Sequence, residues 1–210
     1  MTELFEARIR KNNRYYDKFS SQVAARTDKR DYAHWFTSFC SYLPTGATVL
    51  DIGCGTGLHL RSFQERGYRA IGLEPSQAMR DIAASEGHEV VAGAFETLPT
   101  LDLPPIAGIW CAATLLHVPQ GELAEVLRHL YNRLNNGGAL FLTVRLGQGA
   151  MWDRYDEADG DAERLIQLYE EQDLLQALAR AGFTVTDSEV EQSYWGRPAP
   201  WISLVAVKQP

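Results

Sequence analysis

Apolar positions change their period along the chain, and the changes mark out its elements. In the first 45 residues the period is helical: Phe36, Phe39, Cys40 and Leu43 stand at i, i+3, i+4 and i+7. Upstream, Asn13-Arg14-Tyr15-Tyr16-Asp17-Lys18-Phe19 mixes aromatic with polar residues, and Pro44 with Gly46 ends the region. From Thr48 short apolar runs alternate with helical stripes. Thr48 to Leu50 predicts a first strand, and Leu58 to Arg66 a helix stopped by Gly67. Ala70 to Leu73 predicts a second strand. Ser76 then caps a helix carrying Met79, Ile82 and Ala83, which Gly87 ends. Glu89 to Ala92 and Ile106 to Cys111 predict strands three and four. Leu123, Val126, Leu127, Leu130, Tyr131 and Leu134 share one helical stripe, closed by Gly137-Gly138. Ala139 to Val144 is continuously apolar, as for a strand buried on both faces.

The rhythm then breaks. Gly147 to Asp161 reads as an acidic loop holding Trp152 and Tyr155, and the region from Arg164 to Arg180 as a helix ending at Gly182. Thr184 to Val190 and Trp201 to Val207 are strand-like, with Gly196, Pro198 and Pro200 between them and no crossover helix. Strands joined in that way pair antiparallel. The sum is a mostly parallel sheet with helices on both faces and an antiparallel pair at its end.

Composition narrows the class. With 210 residues, 45% hydrophobic and 22% charged, the chain fits one ordinary folded domain with a small appendage. A net charge of -7 opposes a mainly electrostatic grip on nucleic acid or on an anionic membrane. No apolar stretch approaches the ~20 residues of a membrane span, and the charged N-terminus lacks a signal-peptide core. The three cysteines, Cys40, Cys54 and Cys111, form no metal-ligand or disulfide pattern. A cytoplasmic protein, monomeric or homodimeric, is the expectation.

The chemistry concentrates in Val49-Leu50-Asp51-Ile52-Gly53-Cys54-Gly55-Thr56-Gly57. Three alternate glycines after a strand mark a loop built against a ligand, at the sheet edge where open α/β folds bind one. A dinucleotide fingerprint needs Gly-x-Gly-x-x-Gly, but its third position falls on Leu58 or Leu60. What remains, Asp-x-Gly-x-Gly-x-Gly, resembles the first motif of the class I S-adenosylmethionine-dependent methyltransferases, and the order of elements from Thr48 to Val207 is similar to theirs. The resemblance implies a Rossmann-like three-layer α/β sandwich with a seven-stranded, mostly parallel sheet and a C-terminal antiparallel hairpin. Residues 1–45 would form a helical arm or lid, and residues 46–210 the methyltransferase domain. The implied cofactor is S-adenosyl-L-methionine. Around it the resemblance places Asp51, Gly53, Cys54, Gly55 and Gly57 at the methionyl end. Glu74 of Leu73-Glu74-Pro75-Ser76 would stand at the ribose hydroxyls, with Pro75 and Met79 near the adenine. Many members carry Gly-Asp-Ala-x-x-Leu-Pro after strand three; here Gly93-Ala94-Phe95-Glu96-Thr97-Leu98-Pro99 has Ala94 at the Asp position. Adenine recognition then falls to the backbone of Ala94 and Phe95, or to Glu96.

Strand four runs into Ala112-Ala113-Thr114-Leu115-Leu116-His117-Val118-Pro119. It lacks the Pro-Pro-aromatic signature of DNA amino-methyltransferases and the Pro-Cys pair of pyrimidine-carbon enzymes. Leu-Leu-His-Val-Pro resembles small-molecule methyltransferases, including those related to tellurite resistance. Ala112 and Leu116 would flank the cofactor. His117 is the titratable candidate, as a base toward a hydroxyl or amine acceptor or as a structural loop residue. Tyr16, with Tyr15, Phe19 and Tyr32, would cover the sulfonium or simply pack the arm. Arg145, Trp152, Tyr155, Trp195 and Arg197 are placed to line the acceptor pocket. The reading is metal-independent in-line methyl transfer to a small molecule; the alternatives are a NAD-dependent oxidoreductase and a non-catalytic S-adenosylmethionine-binding module.

Overall fold

Val49, Leu50 and Ile52 are buried because their strand has a neighbour on each side and helices on both faces. In the computed structural model, which describes residues 3–27, 31–154, 163–192 and 199–209, this strand β1 (Thr48–Ile52) sits centrally in a seven-stranded sheet. The other strands are β2 (Arg69–Glu74), β3 (Glu89–Ala92), β4 (Ile106–Ala112), β5 (Leu134–Arg145), β8 (Phe183–Glu191) and β9 (Trp201–Lys208). Their order is β3-β2-β1-β4-β5-β9-β8. The first five are parallel to one another, while β9 runs antiparallel between β5 and β8. The expected sandwich and the terminal antiparallel pair are both present.

Strand alternation sorts the core into two layers. Gly72, Asp51, Trp110, Phe141 and Val205 form one row across the sheet, read from the strand registers. Helices α3 (Ala33–Cys40) and α4 (Leu58–Glu65) cover this face. Trp110 stacks on Phe141 with ring centroids 3.8 Å apart, and Phe36 stacks on Trp110 at 4.7 Å. Gly108 is glycine for packing: a Cβ there would lie 2.5 Å from Phe39. The opposite face carries Leu50, Ile109, Leu140 and Leu204 under α6 (Leu123–Arg133) and α7 (Glu171–Arg180). Helix α5 (Gln77–Ser85) begins at Ser76, whose hydroxyl accepts from Met79 N at 3.3 Å, the predicted cap. At the front, α1 (Glu3–Lys18) and α2 (Ser20–Thr27) precede α3.

Two expectations are corrected. Residues 150–154 and 163–167 are not loop and helix but a separate antiparallel pair, β6 (Ala150–Arg154) and β7 (Glu163–Gln167), and the helix starts only at Glu171. The local stripe of Leu174 and Leu178 is truly helical, but residues 163–167 pair with β6 and lie against α1, and non-local pairing overrides local preference. The second correction is at α6, which stops at Arg133. Leu134 begins β5 and pairs with Ile106.

Phe141 lies at the centre of the aromatic layer and is fully buried. Phe141→Ala is expected to lower unfolding stability by about 3–5 kcal/mol, measured by urea denaturation; a loss below about 1 kcal/mol would contradict this packing.

Candidate active site

Because β1, β2, β3 and β4 are parallel, their carboxyl ends open on one edge of the sheet, and a cavity of about 570 Å³ lies there. Its walls come from the loops after these four strands, and α1 supplies further wall through Phe5, Ile9, Asn12 and Tyr16.

One end of the cavity is organised by Glu74, the last residue of β2. Gly55 N–H donates to Glu74 Oε2 at 3.0 Å, and Ser76 N–H donates to Oε1 at 2.8 Å. A carboxylate has about four lone-pair sites, so each oxygen keeps one beyond these two bonds, and Glu74 lines the cavity. Arg80 fixes the turn by donating to the carbonyls of Glu74 and Pro75, each at 2.8 Å. Burial raises the Glu74 carboxyl above its ordinary value, against the pull of its two backbone donors.

The three glycines serve different purposes. All have positive φ, at 72° for Gly53, 54° for Gly55 and 91° for Gly57. A Cβ on Gly53 would lie 2.5 Å from Thr114, and one on Gly57 would lie 2.4 Å from His88, so those two serve packing within the protein. A Cβ on Gly55 would meet no protein atom within 4 Å, and Gly55 lines the cavity. At the neighbouring rim Ala113 holds φ 55°, a left-handed value uncommon for a residue with a side chain, directly after β4.

Most residues singled out from the sequence meet at this cavity: Gly53, Cys54, Gly55, Glu74, Pro75, Met79, Ala94, Phe95, Glu96, Ala112, Leu116, His117, Tyr16 and Arg145 all line it, as do Tyr15 and Tyr32. Gly57 and Asp51 do not. Asp51 faces the aromatic layer; its Oδ2 lies 3.9 Å from His59 Nδ1 and accepts no hydrogen bond among the described residues. Burial, and then the charge of Glu74, lift the Asp51 carboxyl well above its usual range. His59, which Trp110 Nε1 meets at 3.1 Å, stands at the cavity wall next to it. Phe19 packs on Tyr15 outside the lining, and Trp152 is exposed beneath Lys11, whose Nζ lies 3.8 Å from the ring centroid. Tyr155, Trp195 and Arg197 lie outside the described residues.

At the other end, hydrogen bonds fix Tyr16 and His117. Leu165 N–H donates to Asn12 Oδ1 at 2.9 Å, which identifies the other terminal atom of Asn12 as its NH2. That NH2 donates to Leu165 O at 3.2 Å and to His117 Nδ1 at 3.0 Å. The His117 proton therefore sits on Nε2, which donates to the Tyr16 hydroxyl at 2.8 Å. Arg164 Nη1 donates to the same oxygen at 2.5 Å, and Arg164 is paired with Asp153 at 2.7 Å. With two donors on its oxygen, Tyr16 keeps its own hydrogen for a third group. Burial, reinforced by the charge of Arg164, pushes His117 down to about 3. Burial also raises the Tyr16 phenol, although Arg164 works against it. Both groups are neutral near pH 7. Asn12 and Arg164 carried no sequence signal: one sits mid-helix, the other on a strand whose pairing with β6 no local pattern announces.

A methyltransferase domain family model matches residues 24–188. The malonyl-[acyl-carrier protein] O-methyltransferase of Serratia marcescens is 32% identical over 145 residues, covering 67% of this chain and 55% of that protein. The chain thus spans little more than half the length of that relative. Among solved structures, 1,6-didemethyltoxoflavin-N1-methyltransferase of Burkholderia thailandensis, with its substrate and S-adenosylhomocysteine bound, superposes with a TM-score of 0.70 at 22% identity, covering 94% of this chain and 88% of its own. The [4+2]-cyclase SpnF superposes equally, with a TM-score of 0.70 at 18% identity over 94% of each chain. The chain belongs to the class I S-adenosylmethionine-dependent methyltransferase family.

The assigned His117 state is open to direct measurement. Its ring resonances in nuclear magnetic resonance are expected to remain those of the neutral Nε2–H tautomer from pH 8 to pH 5. An imidazolium signal growing through the ordinary histidine range near 6.5 would contradict the network.

Proposed function

We propose that this protein transfers a methyl group from S-adenosyl-L-methionine to a small-molecule acceptor held beneath α1. The observation that carries the reading is Glu74: a buried carboxylate at the cavity wall, fixed by two backbone donors, with one lone pair per oxygen left over. Two adjacent ribose hydroxyls match that acceptor pair. Gly55 lets the backbone approach the ligand, and the buried acceptor of Asp51, with His59 beside it, favours cationic or hydrogen-donating groups at the methionyl end. On the adenine side Ala94 N–H is already given to Thr97 Oγ1 at 3.1 Å. The adenine contact therefore falls to Glu96 or the Phe95 main chain, with Met79 packing nearby. The missing third dinucleotide glycine speaks against NAD: Leu60 is fully buried within α4.

The bound cofactor supplies an activated methyl on a sulfonium, so the protein's task is positioning and exclusion of water. Tyr16 offers its hydroxyl hydrogen to the acceptor or to the charge at sulfur. His117 and Arg164 hold the Tyr16 oxygen in place, and Asn12 holds His117. In this reading His117 is a positioning residue and not the base. Helix α1 closes the cavity from above. Asp17 accepts from Ser76 Oγ at 2.6 Å and from Ala78 N at 3.2 Å, tying the helix to the entrance of α5. That roof supports a small acceptor over a nucleic-acid strand, and the N-terminal helices act as the lid of the domain. Among the described residues no helix is long and apolar enough to cross a membrane, and three free cysteines support a reducing, cytoplasmic setting.

Because the SpnF fold serves a cyclase, binding and transfer need separate tests. Calorimetry with S-adenosylhomocysteine is expected to show binding that Glu74→Ala weakens by about 100-fold, the loss of two hydrogen bonds to a charged group at roughly 1.5 kcal/mol each. Gly55→Val is expected to fold and to bind none. Equal affinity in the folded variants would remove Glu74 and Gly55 from the site. Incubation with methyl-labelled S-adenosylmethionine and a small-molecule extract is expected to label a low-mass product; binding without any transfer would turn the reading to a non-methylating use of the same site.

A further inference from the structure

Helix α1 meets two different parts of the cavity wall, and its two adjacent asparagines fall on different sides of it. Successive residues of an α-helix point about 100° apart. Asn12 lies toward β7, and its carboxamide is occupied: Oδ1 accepts from Leu165 N, while the NH2 donates to Leu165 O and to His117 Nδ1. Asn13 lies on the other side, one turn before Asp17 on the same face. Asp17 is tied to Ser76 Oγ at 2.6 Å and to Ala78 N at 3.2 Å, so this face of α1 looks toward the entrance of α5. Asn13 is half-buried and lines the cavity, and its side chain makes no hydrogen bond with any described residue.

The wall on this side is where a purine would lie. In the methyl-transfer reading Glu74 stands at the ribose, and Gly55 and Asp51 mark the methionyl end. The base leaves the ribose in the other direction, which brings it to Pro75, Met79 and Phe95, all of them cavity residues. Met79 directly follows Ala78, the residue that Asp17 holds. Such apolar surfaces hold a flat ring without reading its edge. Ala94 cannot read it either. Its N–H is given to Thr97 Oγ1 at 3.1 Å, and its carbonyl accepts from that hydroxyl at 3.0 Å and from Thr97 N at 3.2 Å, which fills both lone pairs. A carboxamide sets one acceptor beside one donor. That pair matches an adenine edge, where the amino group donates and the neighbouring ring nitrogen accepts.

We propose that Asn13 reads the adenine of the methyl donor, its Oδ1 accepting from the 6-amino group and its NH2 donating to the adjacent ring nitrogen. This rests on the methyl-transfer reading of the same cavity and adds a specificity residue from the lid. The amino group has two hydrogens, so the bond to Asn13 leaves one for Glu96 or the Phe95 main chain. Helix α1 then meets both halves of the reaction: Asn13 holds the base of the donor, and Tyr16, three residues on, faces the reacting groups.

The test crosses one residue change with one ligand change in calorimetry on the full-length protein. The ligands are S-adenosylhomocysteine and its 6-desamino analogue, in which hydrogen replaces the amino group. The wild type is expected to bind the analogue at least about fivefold more weakly, the scale of one hydrogen bond between neutral groups. In Asn13→Ala that penalty is expected to shrink by about fivefold, and Asn13→Asp, which keeps the acceptor for the amino group, is expected to retain it. Alanine is the stronger helix former, so the first variant is expected to fold; should it not, Asn13→Leu is read by the same criterion. An unchanged penalty in the folded variant overturns the proposal, even if both ligands bind more weakly, because Asn13 then acts only by packing the lid. Equal binding of the two ligands by the wild type overturns it as well. Absence of S-adenosylhomocysteine binding by the wild type would instead defeat the methyl-transfer reading, which separates the two failures.

Discussion

The Glu74 carboxylate is the joint on which the site depends. A buried carboxylate is costly unless hydrogen bonds replace its water. Here two backbone N–H groups do so, one from the loop after β1 and one from the entrance of α5. Those same bonds set the distance between the two loops, and therefore the width of the cavity. The compensation is incomplete, because each oxygen retains an unused lone pair and the carboxyl is held above its ordinary pKa by burial. Asp51, buried nearby with an unsatisfied oxygen, sharpens the imbalance. A ligand that brings hydroxyl donors and positive charge relieves both.

The far end of the cavity is walled by α1. One helix face carries Asn12 and Tyr16, four residues apart. Asn12 satisfies the backbone of Leu165 on β7 and fixes the proton position of His117, and His117 and Arg164 then fix Tyr16. One turn from Asn12, Arg8 adds positive charge behind the wall. Wall and orientation at this end thus come from α1 docked on the β6–β7 pair, together with His117 and Arg164.

The parallel core was legible because its signals are local. Glycine stops, the Ser76 cap and the continuous apolar run at Ala139 each need only near neighbours. The glycine loop and Glu74 were legible for the same reason, since they fall at the ends of strands that the apolar runs define. The β6–β7 pair was not. Residues 163–167 look helical beside the stripe of Leu174 and Leu178, and become a strand only through partners at 150–154 and contact with α1. Because β7 has no local signature, Arg164 and its neighbour Leu165 have no visible place in the site from sequence, and Asn12 has no visible partner. His117 stood out by residue type, but its state is set first by burial and then by Arg164 and Arg8, with Asn12 fixing its proton, and none of these is near it in sequence. The division of labour among the glycines was equally hidden, because it depends on Thr114 and His88.

The most direct test of the account is a crystal structure of the protein with S-adenosylhomocysteine bound. Both ribose hydroxyls are expected within about 2.5–2.7 Å of the two Glu74 oxygens, as for hydroxyl donors to a carboxylate, with the Gly55 and Ser76 bonds intact and the sulfur directed toward Tyr16. A ribose bound elsewhere, or a Glu74 side chain turned away from the nucleoside, would contradict it.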